Sequence, residues 1–256
     1  MKGTCLALVL ALMAMCVPAG AYPDFFGRTG LVQIPTADTA EPGVYEFAID
    51  HADLELPGGN GWLVRLVAGT SERAELGVAY LSARNSTDAR IVSLNGKVAL
   101  RREPADPFSL AIGASLQDLS RGVFETMDLD RAIRVYGVVT KDLTGQLEQQ
   151  PLEQPGTTVR GHVGLVYTRL ENMSARTTLR PFAGLEFARR SGAMVGLEWD
   201  ASPAGNDVTS AVLRTPLKGG MMAQIGLTNN LGGLDVSGNH GLFAGIVYRF
   251  GEVFPG

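Results

Sequence analysis

"GLFAGIVYRF", Gly241 to Phe250, is the stretch on which the fold turns. In an extended chain Leu242, Ala244, Ile246, Tyr248 and Phe250 share one side, while Phe243, Gly245, Val247 and Arg249 share the other. Both sides carry apolar residues, and the run ends on an aromatic. A soluble edge strand and a strand facing lipid both read this way, so the rest of the chain decides.

The opposite end sets the compartment. Lys2, the apolar run from Cys5 to Val17, and Ala19-Gly20-Ala21 have the form of a signal peptide cleaved before Tyr22. That run is too short to cross a bilayer as a helix. Cys16 offers a lipoprotein alternative, but Met15 is bulky where lipid attachment favours a small residue. Both cysteines, Cys5 and Cys16, lie in the removed segment, so a mature chain has neither a disulfide framework nor a cysteine metal site. Without Lys2 there are 21 basic and 26 acidic side chains, a net charge of −5 that argues against nucleic acid as a partner.

After the signal, segments of period two recur between turn residues. Twelve are expected, at 44–54, 61–70, 74–82, 91–101, 107–117, 131–141, 157–169, 179–188, 192–200, 208–215, 221–228 and 241–250. Most have the length a tilted strand needs to cross a bilayer. With both ends on one side, long connections alternate with short ones, and only 142–156 breaks the rule. Bacterial outer-membrane barrels show this alternation, whereas a Greek-key sandwich has no reason to. The expected fold is therefore all-β, a transmembrane up-and-down antiparallel barrel of about twelve strands. Its expected organisation is a signal peptide over 1–21, a periplasmic lead-in or plug over 22–43, the barrel over 44–250 and a short tail over 251–256. The glutamine- and proline-containing stretch 142–156 fits a flexible inner loop or a periplasmic docking arm.

Directing the apolar phase of each strand to lipid leaves Glu46, Asp50, Arg65, Glu75, Lys97, Arg101, Arg134, Arg160, His162, Glu186, Glu198 and Arg249 facing inward. Lysine or arginine on the lipid face costs about 2–4 kcal/mol at the bilayer midplane, so this orientation is preferred. Tyr248 and Phe250 then fall in the interfacial aromatic girdle, and likeness to the last strands of outer-membrane barrels generally implies that they form the membrane-insertion signal.

The stretch "YPDFFGRTGLVQIPTADTAEPGVYEFAID", residues 22–50, carries Gly27-x-x-Gly30-Leu31, Pro35-Thr36-Ala37 and Pro42-Gly43. It resembles the entry segment of YjbH-type proteins, outer-membrane barrels associated with exopolysaccharide production. "PFAGLEFARRSGAMVGLEWD", residues 181–200, is similar to the hairpins of that family more loosely. The resemblance implies an outer-membrane barrel module in polysaccharide export or secretion, and it implies no catalytic residue. Read from the residues alone, 27–42 fits a periplasmic lead-in and a segment folded into the barrel mouth equally well.

Catalytic readings are weaker. Glu186 and Glu198 on neighbouring strands would suit glycoside hydrolysis if their spacing were right, but inward glutamates more often pair with arginines. His162 has no serine at an obvious partner spacing, and His51 and His240 lie at strand ends or loops. Three scattered histidines without clustered acids make a metal site unexpected, and no cofactor is expected. "LGGLDVSGNHG" links two strands rather than a strand and a helix, so it fits an outer loop and not a phosphate loop. The expectation is a non-enzymatic, constricted pore or accessory protein in the outer membrane of a diderm bacterium. Its expected partners are outer-membrane lipid, the barrel assembly machinery and polysaccharide or export components. A soluble exported β-protein, and a hydrolase borne on a barrel, remain the alternatives.

Overall fold

A computed structural model describes residues 22–54, 60–83, 89–122, 130–144, 156–171, 177–201, 207–229 and 241–251. The expected signal segment, the tail beyond residue 251 and most of the expected long loops lie outside these residues. So does most of the 142–156 connection.

Twelve strands form one closed sheet: β1 (Tyr45–Leu54), β2 (Asn60–Ser71), β3 (Ala74–Ala83), β4 (Ala89–Arg101), β5 (Ser109–Gly122), β6 (Arg131–Asp142), β7 (Thr157–Glu171), β8 (Thr177–Arg189), β9 (Met194–Asp200), β10 (Val208–Pro216), β11 (Met221–Thr228) and β12 (Gly241–Phe250). Each pairs antiparallel with its neighbour in sequence, and β12 closes on β1 from Tyr45↔Phe250 to Leu54↔Gly241. The closing strand is therefore the stretch 241–250, and closure leaves no unpaired edge. The connections 72–73, 102–108, 143–156, 190–193 and 217–220 lie at one end, the turn end. Those at 55–59, 84–88, 123–130, 172–176, 201–207 and 229–240 lie at the other, the loop end, so that 102–108 as well as 143–156 departs from the expected alternation.

Boundaries move where backbone chemistry requires it. β5 starts at Ser109 and not at Pro107, which has no N–H to give a ladder. β9 starts at Met194 because Gly192, at φ +82°, belongs to the turn closed by Gly192 N–H on the Arg189 carbonyl.

The alternation of burial follows the period-two pattern. Leu76, Leu94, Val163, Leu165, Leu179 and Leu227 are fully outward and exposed, as are many smaller apolar side chains between them. Two aromatic belts border this apolar band. At the turn end Tyr45 stacks on Phe250 and Tyr248 on Phe250, each with centroids 5.5 Å apart. Toward the loop end stand Trp62, Tyr80, Tyr167 and Trp199, with the Trp199 indole donating to Asp207 at 2.8 Å. The outward charges Asp53, Asp118, Lys141, Arg169 and Arg189 sit at strand ends, away from the apolar middle. An outer surface of this kind matches a hydrocarbon slab flanked by two interfaces.

The interior is filled by the chain's own N-terminal segment. Residues 22–40 are buried throughout except half-buried Asp38. They fold into a compact loop through bridges between Pro23 and Thr29 and between Gly30 and Pro35. The chain then leaves along the β2 end, where Gly43 N–H donates to the Gly69 carbonyl and Gly69 N–H to the Val44 carbonyl, both at 3.0 Å. Phe25 and Val32 pack with Leu63, Leu81, Ile91, Leu119 and Phe243 in the loop-end half. Tyr22, Leu31, Ile34 and Ala37 pack with Ala48, Val138, Met194 and Val247 in the turn-end half.

A plugged lumen as the candidate functional site

The plug is first locked to itself. Asp24 accepts from Phe26 N–H at 2.9 Å and Arg28 N–H at 3.1 Å, and it pairs with the Arg28 guanidinium at 2.5 Å. Arg28 also donates to the Gln33 carbonyl. The turn so formed presents its main chain outward, and the wall grips that main chain.

Two carboxylates take plug N–H groups. Glu198 accepts from Val32, Gln33 and Ile34 at 3.0, 2.9 and 3.2 Å. Glu75 accepts from Thr29 N–H and Ala40 N–H, each at 2.9 Å, and from the Thr29 hydroxyl. Cations take plug carbonyls in return. Lys97 donates to Thr29 at 2.9 Å and Thr36 at 3.2 Å while pairing with Glu75 at 2.9 Å. Arg65 donates to Pro23 at 3.0 Å and pairs with Asp50; Arg214 donates to Gly30 and to Leu31 at 3.3 and 2.5 Å. Asn95 donates to the Phe26 carbonyl. Buried main-chain groups outside regular structure need such partners, and hydrogen bonds to ionised groups are the stronger kind.

Toward the turn end the grip passes to side-chain ion pairs. Arg160 holds Asp38 through two hydrogen bonds of 2.8 and 2.6 Å, and Arg249 meets Glu41 at 2.9 Å. Burial alone would raise the Asp38 carboxyl; the Arg160 guanidinium outweighs it and holds the group well below the usual carboxylate range. Glycines make the room: a Cβ on Gly184 would lie 2.6 Å from Ile34 Cδ1 and 2.8 Å from Leu31 Cδ1.

Glu46, Asp50, Arg65, Glu75, Lys97, Arg134, His162, Glu186 and Glu198 all lie buried within the barrel, with Arg160 and Arg249 at its turn-end mouth. Arg101 does not. The register shifts between Ala99 and Arg101, and the exposed Arg101 guanidinium lies over the Phe108 ring at 5.4 Å. Tyr248 and Phe250 face outward in the turn-end belt. Arg180 and Arg214 also point inward and are absent from the expected set, although their phase in β8 and β10 marks them. Their plug and wall partners have no signature in sequence.

Neither catalytic geometry is open for chemistry. Glu198 is saturated by three main-chain donors, and Glu186 lies 3.8 Å from both Arg160 and His162. Thr140 Oγ1 is 2.9 Å from His162 Nδ1, but it accepts from Ala37 N–H and lies beneath the plug. Among the described residues no three His, Cys, Asp or Glu are grouped to hold a metal.

A closed antiparallel barrel of twelve strands, apolar outside between aromatic belts and polar inside, is the architecture of bacterial outer-membrane barrels. The comparison with solved structures agrees. The chain is similar to the KdgM porin at 12% identity, over 80% of this chain and 99% of that one, with a TM-score of 0.56. It is similar to the NanC porin at 9% identity, over 80% and 100%, with a TM-score of 0.53. A KdgM porin in complex with disordered oligogalacturonate matches at 12% identity, over 81% and 99%, with a TM-score of 0.52. At these identities the likeness is one of fold. No family model matches the sequence, and no curated protein does.

Proposed function

We propose that the chain is a non-enzymatic integral outer-membrane barrel, a pore closed at rest by its own residues 22–43 and serving exopolysaccharide export or secretion. The observation that carries this reading is the lumen itself: a hydrophilic wall, open in principle to a polar solute, gripped onto a segment of the same chain. The outward apolar band and its two belts support residence in the outer membrane. The porin folds it is similar to support passage of a solute, and oligogalacturonate bound to one of them supports a saccharide. The resemblance of residues 22–50 to YjbH-type entry segments supports the link to exopolysaccharide. Export after cleavage before Tyr22, and insertion by the barrel assembly machinery through the Tyr248 and Phe250 end, complete the proposal.

Planar-bilayer conductance tests it. The intact protein is expected to show small or no steady conductance, and deletion of 25–36 to raise it severalfold. Large conductance from the intact protein, or none after the deletion, refutes the plugged-pore reading.

A further inference from the structure

The plug is gripped unevenly. Its main-chain latches come from Arg65, Glu75, Asn95, Lys97, Glu198 and Arg214, on β2–β4 and β9–β10, and from Thr140 of β6 only in the turn-end half. The wall between β5 and β9, in the loop-end half, is different. Ser115 and Gln117 on β5, Thr168 on β7 and Arg180 on β8 are each at least 97% buried. Yet the Ser115 and Thr168 hydroxyls, both polar atoms of the Gln117 amide and Arg180 Nε have no hydrogen-bond partner among the described residues.

These groups are contiguous. Ser115 stands opposite Arg134, and Arg134 opposite Thr168; Arg180, opposite Val166, is one inward step from Thr168. Arg180 reaches on to Asp200 of β9 at 3.1 Å, and the second Asp200 oxygen has no hydrogen-bond partner among the described residues. What faces this arc is the apolar tip of the plug: the Phe26 ring lies 4.6 Å from the Arg134 guanidinium, and Phe25 and Val32 pack with Leu119 and Ala132 of β5 and β6. Buried polar groups without partners are rare in folded proteins, so a row of them against aromatic rings calls for another occupant. Gln117 Nε2 and Arg180 Nε only donate and the two hydroxyls can donate, and the Arg134 and Arg180 guanidiniums bring positive charge to the arc, which suits carboxylate oxygens. The hydroxyls, the amide and Asp200 suit hydroxyl groups, which both give and accept. Five adjacent strands span about 19 Å, which fits an elongated solute better than a single ion.

We propose that the loop-end half of the lumen between β5 and β9 is a binding site for a carboxylated oligosaccharide, which takes the place of the plug's aromatic tip. The inference deepens the pore reading and rests on it. Ligand and plug tip compete for one wall, so anything that loosens the tip strengthens binding, and the ligand loosens the tip to the same degree.

Binding to the detergent-solubilised full-length protein is measured by calorimetry with trigalacturonate, neutral galactotriose, inorganic sulfate and hexa-aspartate. Trigalacturonate is expected to bind at least tenfold more tightly than each of the other three. Arg180→Gln and Thr168→Val should each weaken that binding at least fivefold, and Arg169→Gln, on the outward face of the same strand as Thr168, should leave it unchanged. Heat-modifiable migration confirms that each variant is a folded barrel, and Gln117→Leu supplies a third probe if one of them is not. Equal binding of sulfate or of hexa-aspartate overturns the saccharide assignment, and unchanged affinity in the folded wall variants overturns the site. No binding overturns the inference while leaving the conductance rise on deleting 25–36 as the separate criterion for the plugged pore.

Discussion

Gly77 of β3 and Gly27 of the plug are in such close approach that a Cβ on Gly77 would lie 1.6 Å from the Gly27 carbonyl oxygen. Gly27 itself has φ +74°, a conformation that side chains with a Cβ adopt only with strain. The contact is therefore readable as a fit between two main chains with no side chain between them.

Gly77→Val should expel the plug without preventing barrel closure, because the added methyl groups point into the lumen and not into the ladder. The expected result is a heat-modifiable, inserted protein with conductance raised toward that of the 25–36 deletion. Gly137→Val is the matched control, since a Cβ there meets nothing within 4 Å, and it should behave as wild type.

Glu198→Gln removes the charge from an acceptor of three main-chain N–H groups. Hydrogen bonds to charged groups contribute about 1.5–3 kcal/mol, so the population with a released plug should rise roughly ten- to a hundredfold. Labelling of a cysteine introduced at Ile34 by a membrane-impermeant reagent measures that population. Labelling no faster than in the Glu198 parent would show that the latch does not set plug stability.

The Asp38 carboxyl titrates lower when the plug is docked than when it is free. Its contribution to docking is therefore complete above the ordinary value of 3.8 and is lost as pH falls below it. Conductance of wild type and Asp38→Asn should differ by a constant factor from neutral pH down to about pH 5 and converge in stronger acid. A difference that vanishes between pH 8 and 6 would assign the effect to another group.

Phe250→Asp places a charge in the turn-end belt, where Phe250 stacks on both Tyr45 and Tyr248. The inserted amount should fall, with the remainder degraded before insertion. Phe250→Tyr should preserve insertion, and equal membrane levels of the Asp variant would remove Phe250 from the insertion signal.

The barrel was legible because lipid imposes period two on every strand, one rule applied twelve times. Lys97 and Glu198 follow from it directly, as do Arg180 and Arg214 once the phase is carried through β8 and β10. Arg101 shows its limit: the phase is right, but at a strand end with a shifted register the side chain is exposed and covers Phe108. The interior of the plug was less legible for a different reason. Residues 22–43 have no periodicity, and their partners, such as Glu198 for Gln33, lie 165 positions away. A grip on main-chain atoms leaves no side-chain pattern on the gripped segment.

The latches also stand on both sides of the seam where β12 meets β1. Glu75 and Lys97 lie on strands that follow β1, whereas Glu198 and Arg214 lie on strands that precede β12, and all four hold one short segment. Bringing the two ends of so long a chain together carries an entropic cost that grows with the length between them. A segment bound by early and late strands at once would draw those strands toward each other before the last ladder forms. The expected outcome is that residues 22–43 serve as a mandrel during assembly, so that a chain without 25–36 reaches the same closed barrel more slowly.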